Sequence, residues 1–166
     1  MMRAVARLRV PLGFLCAAIA LWLAQPTWMS LTIGGGVMAI GEAIRVWAAG
    51  HLEKGREITR SGPYRFVRHP LYLGSTLLGV GFAIASWRIS IALLTAAYLI
   101  VTLVAAVRTE EATLDTRFAG EYTAYREGRA APVERGFSWA RAMGNREWRA
   151  MAGLLAVFLW LAWRAR

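Results

Sequence analysis

Cysteine occurs once in the 166 residues, at Cys16 inside an apolar run, which excludes a disulfide framework and a cysteine-rich metal site. Lysine also occurs once, at Lys54, so nineteen of the twenty basic residues are arginine. That skew reads as a base-composition bias and carries no function. Charged residues make up only 18% of the chain, below the roughly 25% usual in soluble proteins. Carboxylates number ten against twenty basic side chains, for a net charge of +10. No HExxH pattern, Ser-His-Asp set or metal-ligand cluster is present, and the prolines and glycines follow no collagen period. What the chain has in abundance is hydrophobic residues, at 57%, which excludes a disordered polymer.

A basic soluble domain would raise a nucleic-acid reading. Here the arginines sit between long apolar runs, the pattern of a membrane protein with its basic loops on the cytoplasmic side. Four runs are long enough, or nearly so, to cross about 30 Å of hydrocarbon as helices. They cover residues 10–24, 31–49, 71–87 and 89–107. A fifth, residues 150–163, has only fourteen residues and either spans with flanking help or lies in the interface. The first run is read as a retained helix, because Pro26-Thr27-Trp28 makes a poor signal-peptide cleavage site. The expected fold is therefore all-α, a polytopic membrane protein with four or five transmembrane helices.

Basic residues concentrate in alternate connections. The N-terminus carries Arg3, Arg7 and Arg9; loop 50–70 carries five basic residues and segment 108–149 eight arginines. The turn at 25–30 carries none, and that at 87–90 only Arg88. The N-terminus and the two basic segments are expected to face the cytoplasm of a prokaryotic inner or plasma membrane. Arg164 and Arg166 fall on the other side if the fifth run spans, against the rule.

Arg68-His69-Pro70 has the chemistry of a helix start, with proline suited to the first turn. Leu114, Phe118, Tyr122 and Tyr125 recur at helical spacing, predicting that the fourth helix continues out of the bilayer until Gly128 and Pro132. Glu42 and Arg45 lie one turn apart in an apolar run, which is costly unless they pair or face a cavity. Gly34-Gly35-Gly36 reads as close packing between helices. Trp139, Trp148, Trp160 and Trp163 read as interfacial anchors.

The stretch Gly62-Pro63-Tyr64, then Arg68-His69-Pro70-Leu71-Tyr72-Leu73-Gly74, resembles the signature of isoprenylcysteine carboxyl methyltransferases, relatives of the phospholipid N-methyltransferases. A second element, Arg108-Thr109-Glu110-Glu111 followed by Leu114, Phe118, Gly120, Glu121, Tyr122 and Tyr125, follows after one helical hairpin, as in that family. The resemblance covers residues 40–130. It implies one methyltransferase domain, residues 1–166, with an N-terminal hairpin (1–49), a catalytic half (50–130) and a C-terminal polar segment with an apolar helix (131–166). It implies S-adenosylmethionine as cofactor in a cytosol-facing pocket, and a lipid or lipophilic small molecule as methyl acceptor, with no nucleic acid or metal. Carried over by position, cofactor contacts fall on His51, Ile58, Thr59, Tyr64, His69, Pro70, Tyr72, Glu110 and Glu111, and catalytic roles on His69, Glu110 and Arg108. The prenylcysteine enzymes place a carboxylate-binding arginine four residues before the glutamate; here that position is Ala106. The architecture also resembles that of membrane sterol reductases, and a non-catalytic scaffold or small transporter is a further reading of the same spans.

Overall fold

The computed structural model describes residues 2–131 and 133–166, with side chains from residue 13 onward. Among the described residues it is all helical, without strands. Five long helices run end to end: α1 (Met2–Leu23), α2 (Trp28–His51), α3 (Pro70–Ser86), α4 (Ile89–Arg117) and α7 (Glu147–Arg164). Two short ones, α5 (Glu121–Arg126) and α6 (Trp139–Gly144), lie in the segment between α4 and α7. Helices α2 and α4 are long and apolar enough to cross a membrane. At 1.5 Å per residue the 24 residues of α2 reach about 36 Å, more than the hydrocarbon thickness.

The local signals explain where the helices begin. Thr27 and Ser30 form a reciprocal capping box at the start of α2: Ser30 N–H donates to Thr27 Oγ1 (3.1 Å) and Thr27 N–H to Ser30 Oγ (3.0 Å). Pro70 occupies the first turn of α3 as its fixed φ allows. Helix α4 does not continue to Tyr125 as the stripe predicted. It stops at Arg117, and the chain turns through Gly120 at φ 80°, a left-handed conformation that glycine adopts without a Cβ clash. The four stripe residues still face one place, because the turn folds α5 back toward the loop before α3.

The distribution of side chains is inverted relative to a soluble protein. The largest apolar groups point outward: on α4, Ile89, Leu93, Ile100 and Val101 are all exposed, and Ile91 is the only buried residue. Small residues hold the helices together. Helices α2 and α3 run antiparallel, with Gly34 against Gly81 and Gly41 against Gly74. A Cβ on Gly81 would sit 2.6 Å from the Gly34 carbonyl oxygen, and one on Gly41 2.8 Å from that of Gly74. Such backbone contact is how membrane helices associate where burial from water drives nothing. Of the glycine run, Gly34 packs as read from the sequence and Gly35 meets Phe158 of α7, whereas Gly36 meets nothing within 4 Å.

The two ends of the bundle differ. One end gathers loop 52–69, the outer half of α4, α5, α6 and the start of α7. Asn145 Nδ2 donates to the carbonyls of Ala49 and Leu52 (2.9 Å each), and Arg135 pairs with both carboxylate oxygens of Glu57 (2.6 and 2.9 Å). The other end joins the α1–α2 turn, the α3–α4 turn and the end of α7: Gln25 N–H donates to Ser86 O, and Arg164 Nη1 to Trp22 O (2.8 Å). The fifth apolar run is thus part of an 18-residue helix that reaches from Arg45 of α2, through Glu147, to the end of α1, through Arg164.

Candidate active site

A cavity of about 860 Å³ opens at the loop-rich end, between the ends of α2, α3 and α4 and beneath loop 52–59. His69 is built for it. As the residue preceding α3 it would ordinarily cap the helix, yet its side chain makes no capping bond. The imidazole turns instead toward α4, with Nε2 3.2 Å from Glu111 Oε1 and Nδ1 4.0 Å from Glu110 Oε2. Pro70 fixes the backbone that aims it, and Tyr72 stacks obliquely beside it, ring centroids 5.6 Å apart. Of the first turn of α3, Pro70 has no N–H, and the N–H groups of Tyr72 and Leu73 already bond the His69 carbonyl. Little of that helix end remains to receive a carboxylate.

Glu111 is the hub behind the histidine. Its Oε1 accepts from His69, from Tyr122 Oη (3.1 Å) and from Arg68 Nη1 (3.3 Å). Glu111 does not itself line the cavity, whereas Glu110, one residue earlier, does. Adjacent positions on a helix differ by about 100°, so one carboxylate points into the space and the other braces its wall. Tyr122 is fully buried, and burial together with the Glu111 carboxylate pushes its phenol well above the usual range.

Tyr64 lies on a one-turn 3₁₀ helix, Gly62–Arg65, and forms another wall. It is 8% exposed, and burial raises its phenol far above the ordinary value. Tyr125 Oη donates to the Tyr64 carbonyl (2.7 Å), tying α5 to this turn. The glycine before it has a structural reason. Gly62 adopts φ 55°, and a Cβ there would lie 2.5 Å from His51 Cδ2. Ile58 and Thr59 are buried cavity residues, and Thr59 Oγ1 accepts the Glu53 N–H (3.1 Å), which closes the loop. Glu57 is held below the usual carboxylate range, chiefly by its hydrogen bonds from Arg135.

Ile58, Thr59, Tyr64, His69, Pro70, Tyr72 and Glu110 therefore meet at one cavity. Three residues singled out from the sequence do not line it. His51 is buried beneath the Gly62 turn, with Nδ1 3.1 Å from Ser61 Oγ, and serves as the floor of that turn. Glu111 stands behind His69. Arg108 is exposed on another face of α4, while Ala106, two residues earlier and about 200° away, lines the cavity.

Sequence reasoning missed the contribution of the C-terminal segment. Arg45 of α2 lines the cavity and pairs with Glu147 of α7 (2.7 Å), with Glu42 (3.7 Å) and with Ser75 Oγ (2.5 Å). The Glu42–Arg45 pair expected from their spacing is present, but Arg45's closest carboxylate comes from 102 residues further on. Glu147 is the sole acidic residue after Glu134, a signal that could have marked it as the partner of a cation in an apolar run.

Among the described residues no group of three or more metal-binding side chains occurs. Neither a curated protein nor a solved structure matches the chain. The family model described as phospholipid methyltransferase matches residues 8–121, which include α2, α3, α4 and the cavity walls they supply. The chain belongs to the phospholipid methyltransferase family.

Proposed function

We propose that this protein is an integral-membrane, S-adenosylmethionine-dependent methyltransferase whose five long helices cross the bilayer and whose cavity faces the cytoplasm. The observation that supports it best is the convergence of Tyr64, His69, Pro70, Tyr72 and Glu110 on a single cavity within a methyltransferase family domain. The residues fit the cofactor. A volume of about 860 Å³ lies within the roughly 300–1,000 Å³ of ligand pockets. Glu53 and Glu110 can receive an ammonium, and Lys54, Arg68 and Arg117 a carboxylate. The rings of Tyr64, Tyr72 and Phe118 offer faces to an adenine and to a cation.

When bound, S-adenosylmethionine supplies a methyl group on a sulfonium, ready for in-line displacement. The protein's part is alignment and exclusion of water. Loop 52–59, held by Arg135 and Asn145, covers the polar end. Thr102, Ala105 and Ala106 carry the cavity along α4 toward the bilayer, a path suited to a lipophilic acceptor. A carboxylate acceptor needs no base. An amine must shed a proton, and His69 Nδ1, on the Glu110 side, is placed to take it while Glu111 holds Nε2. With Ala106 in the wall and Arg108 outside it, the position where the prenylcysteine enzymes carry their carboxylate-binding arginine offers no charge, and S-prenylcysteine analogues should be poor acceptors.

Calorimetry of the detergent-solubilised protein with S-adenosylhomocysteine tests the reading. His69→Ala, Tyr72→Phe and Glu110→Gln should each weaken binding by roughly twofold to 150-fold, the range of one lost hydrogen bond. Thr116→Ala, outside the cavity on the same helix, should bind as the native protein does. Equal losses at all four positions would indicate unfolding and count against the site.

Orientation is tested separately. Cysteines placed at the exposed positions Arg56 and Arg129 should react with an impermeant reagent only from the cytoplasmic side, and one at Ser90 only from outside. Labelling of Arg56→Cys and Ser90→Cys from the same side would contradict the arrangement.

A further inference from the structure

The walls of the cavity differ in character. From α4 it takes Thr102, Ala105, Ala106, Thr109, Glu110 and Thr113, one face of the helix at three- and four-residue spacing. The three threonines spend their hydroxyls on their own helix. Thr102 Oγ1 donates to Tyr98 O (2.7 Å), Thr109 Oγ1 to Ala105 O (2.7 Å) and Thr113 Oγ1 to Thr109 O (2.8 Å). No hydroxyl hydrogen is left for a ligand. From Thr102 to Thr109, about 10 Å of helix, this wall offers small apolar groups and no hydrogen-bond donor. Its inner end is closed, because Gly79 of α3 meets α4 there. A Cβ on Gly79 would lie 2.4 Å from Leu99 Cδ1 and 3.2 Å from Thr95 Cγ2. Its outer end reaches Glu110, beside His69.

The charges at the depth of the strip belong to other helices. Helices α3 and α4 form a hairpin, so Ser75, about one turn from Gly79, is level with Thr102, about one turn from Leu99. Ser75 Oγ accepts from Arg45 Nη1 (2.5 Å), and Glu147 Oε1 accepts from Arg45 Nε (2.7 Å). Arg45 and Glu147 both line the cavity, which is therefore charged along α2 and α7 and apolar along α4.

We propose that the strip from Thr102 to Thr109 seats the hydrocarbon of the methyl acceptor, that its reacting group lies at the His69 end, and that Ala106 sets the bulk the strip admits. The inference rests on the methyltransferase reading above and adds which part of the acceptor meets which wall. Apolar contact has no direction of its own, so on such a wall fit is decided by shape. Ala106 stands in the middle of the strip, and a larger side chain there takes space that a chain would fill. A polar headgroup laid against α4 would lose its water and gain no partner.

Methyl transfer in vesicles at rising content of a total lipid extract of the host, beside calorimetry with S-adenosylhomocysteine, separates acceptor from cofactor. Ala106→Val and Ala106→Leu should raise the half-saturating extract content in that order, by roughly fourfold for each methylene displaced. Both should bind S-adenosylhomocysteine as the native protein does. Val104→Leu, which adds carbon to the same helix at an exposed position, should change neither quantity. Half-saturation unmoved in Ala106→Leu, or moved as far in Val104→Leu, would overturn the proposal. An equal fall in S-adenosylhomocysteine affinity in Ala106→Leu would overturn it too, by giving the strip to the cofactor or to the fold. A native protein that does not bind S-adenosylhomocysteine would overturn the methyltransferase reading and this inference with it. Normal binding beside an unmoved half-saturation would remove this inference alone.

Discussion

Arg45→Ala should destabilise the protein by about 3–5 kcal/mol, the cost of removing one partner from a buried ionic cluster. Glu147 is 4% and Glu42 8% exposed, and Arg45 is the cation between them. Neither Glu42 oxygen has a hydrogen-bond partner, so the carboxylate depends on the nearby guanidinium alone. Without it, two carboxylates share an apolar environment with nothing to compensate them. Denaturation of the solubilised protein by heat or by a titrated ionic detergent measures the loss. The triple variant Glu42→Gln, Arg45→Met, Glu147→Gln removes all three charges together and should recover most of the stability. A variant Arg45→Ala as stable as the native protein would show that the cluster holds nothing together. The same pair ties α7, which lies beyond the matched family region, to the cavity wall. Residues 133–147 are therefore as much a part of the site's scaffold as the helices that carry the family signature.

Gly81→Val should cost roughly 1–3 kcal/mol or more, the range for overpacking a tight interior. The atom a Cβ would meet is the Gly34 carbonyl oxygen, and backbone cannot rotate away as a side chain could. Separation of α2 from α3 would also move Arg45 relative to His69, so cofactor affinity should fall together with stability. Gly36→Val, on the partner helix α2 but facing open space, is the comparison and should be tolerated. Equal behaviour of the two variants would mean that the glycine contacts do not set the helix spacing.

The sequence made the helices legible because apolar runs, capping residues and arginine distribution each act locally. Pro70 and the turn at Trp87 fall where those signals placed element ends, whereas α2 begins at Trp28, three residues before the apolar run read from the sequence. The helix predicted from Leu114 to Tyr125 was broken for a local reason too. Gly120 allows a turn that spacing alone does not register, and the stripe stays on one side because the chain folds back. Part of the cavity wall, Tyr64, His69, Tyr72 and Glu110 included, was legible through the two motif elements, since each is a short segment anchored to a helix end. His51 and Glu111 show the limit. Both sit inside or beside a motif, yet one supports the Gly62 turn from below and the other braces His69 from behind. A motif records which residue types are present, not which of them face the cavity. Arg45–Glu147 was not legible as a pair because its members are 102 positions apart, and only the lone carboxylate in a basic segment hinted at it.

Transfer of a labelled methyl group from S-adenosylmethionine, by the protein reconstituted in vesicles with a total lipid extract of its host, tests the central claim most directly. Labelled product should appear in the lipid fraction with the native protein and with Thr116→Ala. It should fall sharply with His69→Ala and Glu110→Gln, and acetyl-farnesylcysteine offered in place of the extract should take little label. Transfer that is indifferent to His69 and Glu110 would contradict the account, as would a protein that binds NADPH and not S-adenosylhomocysteine.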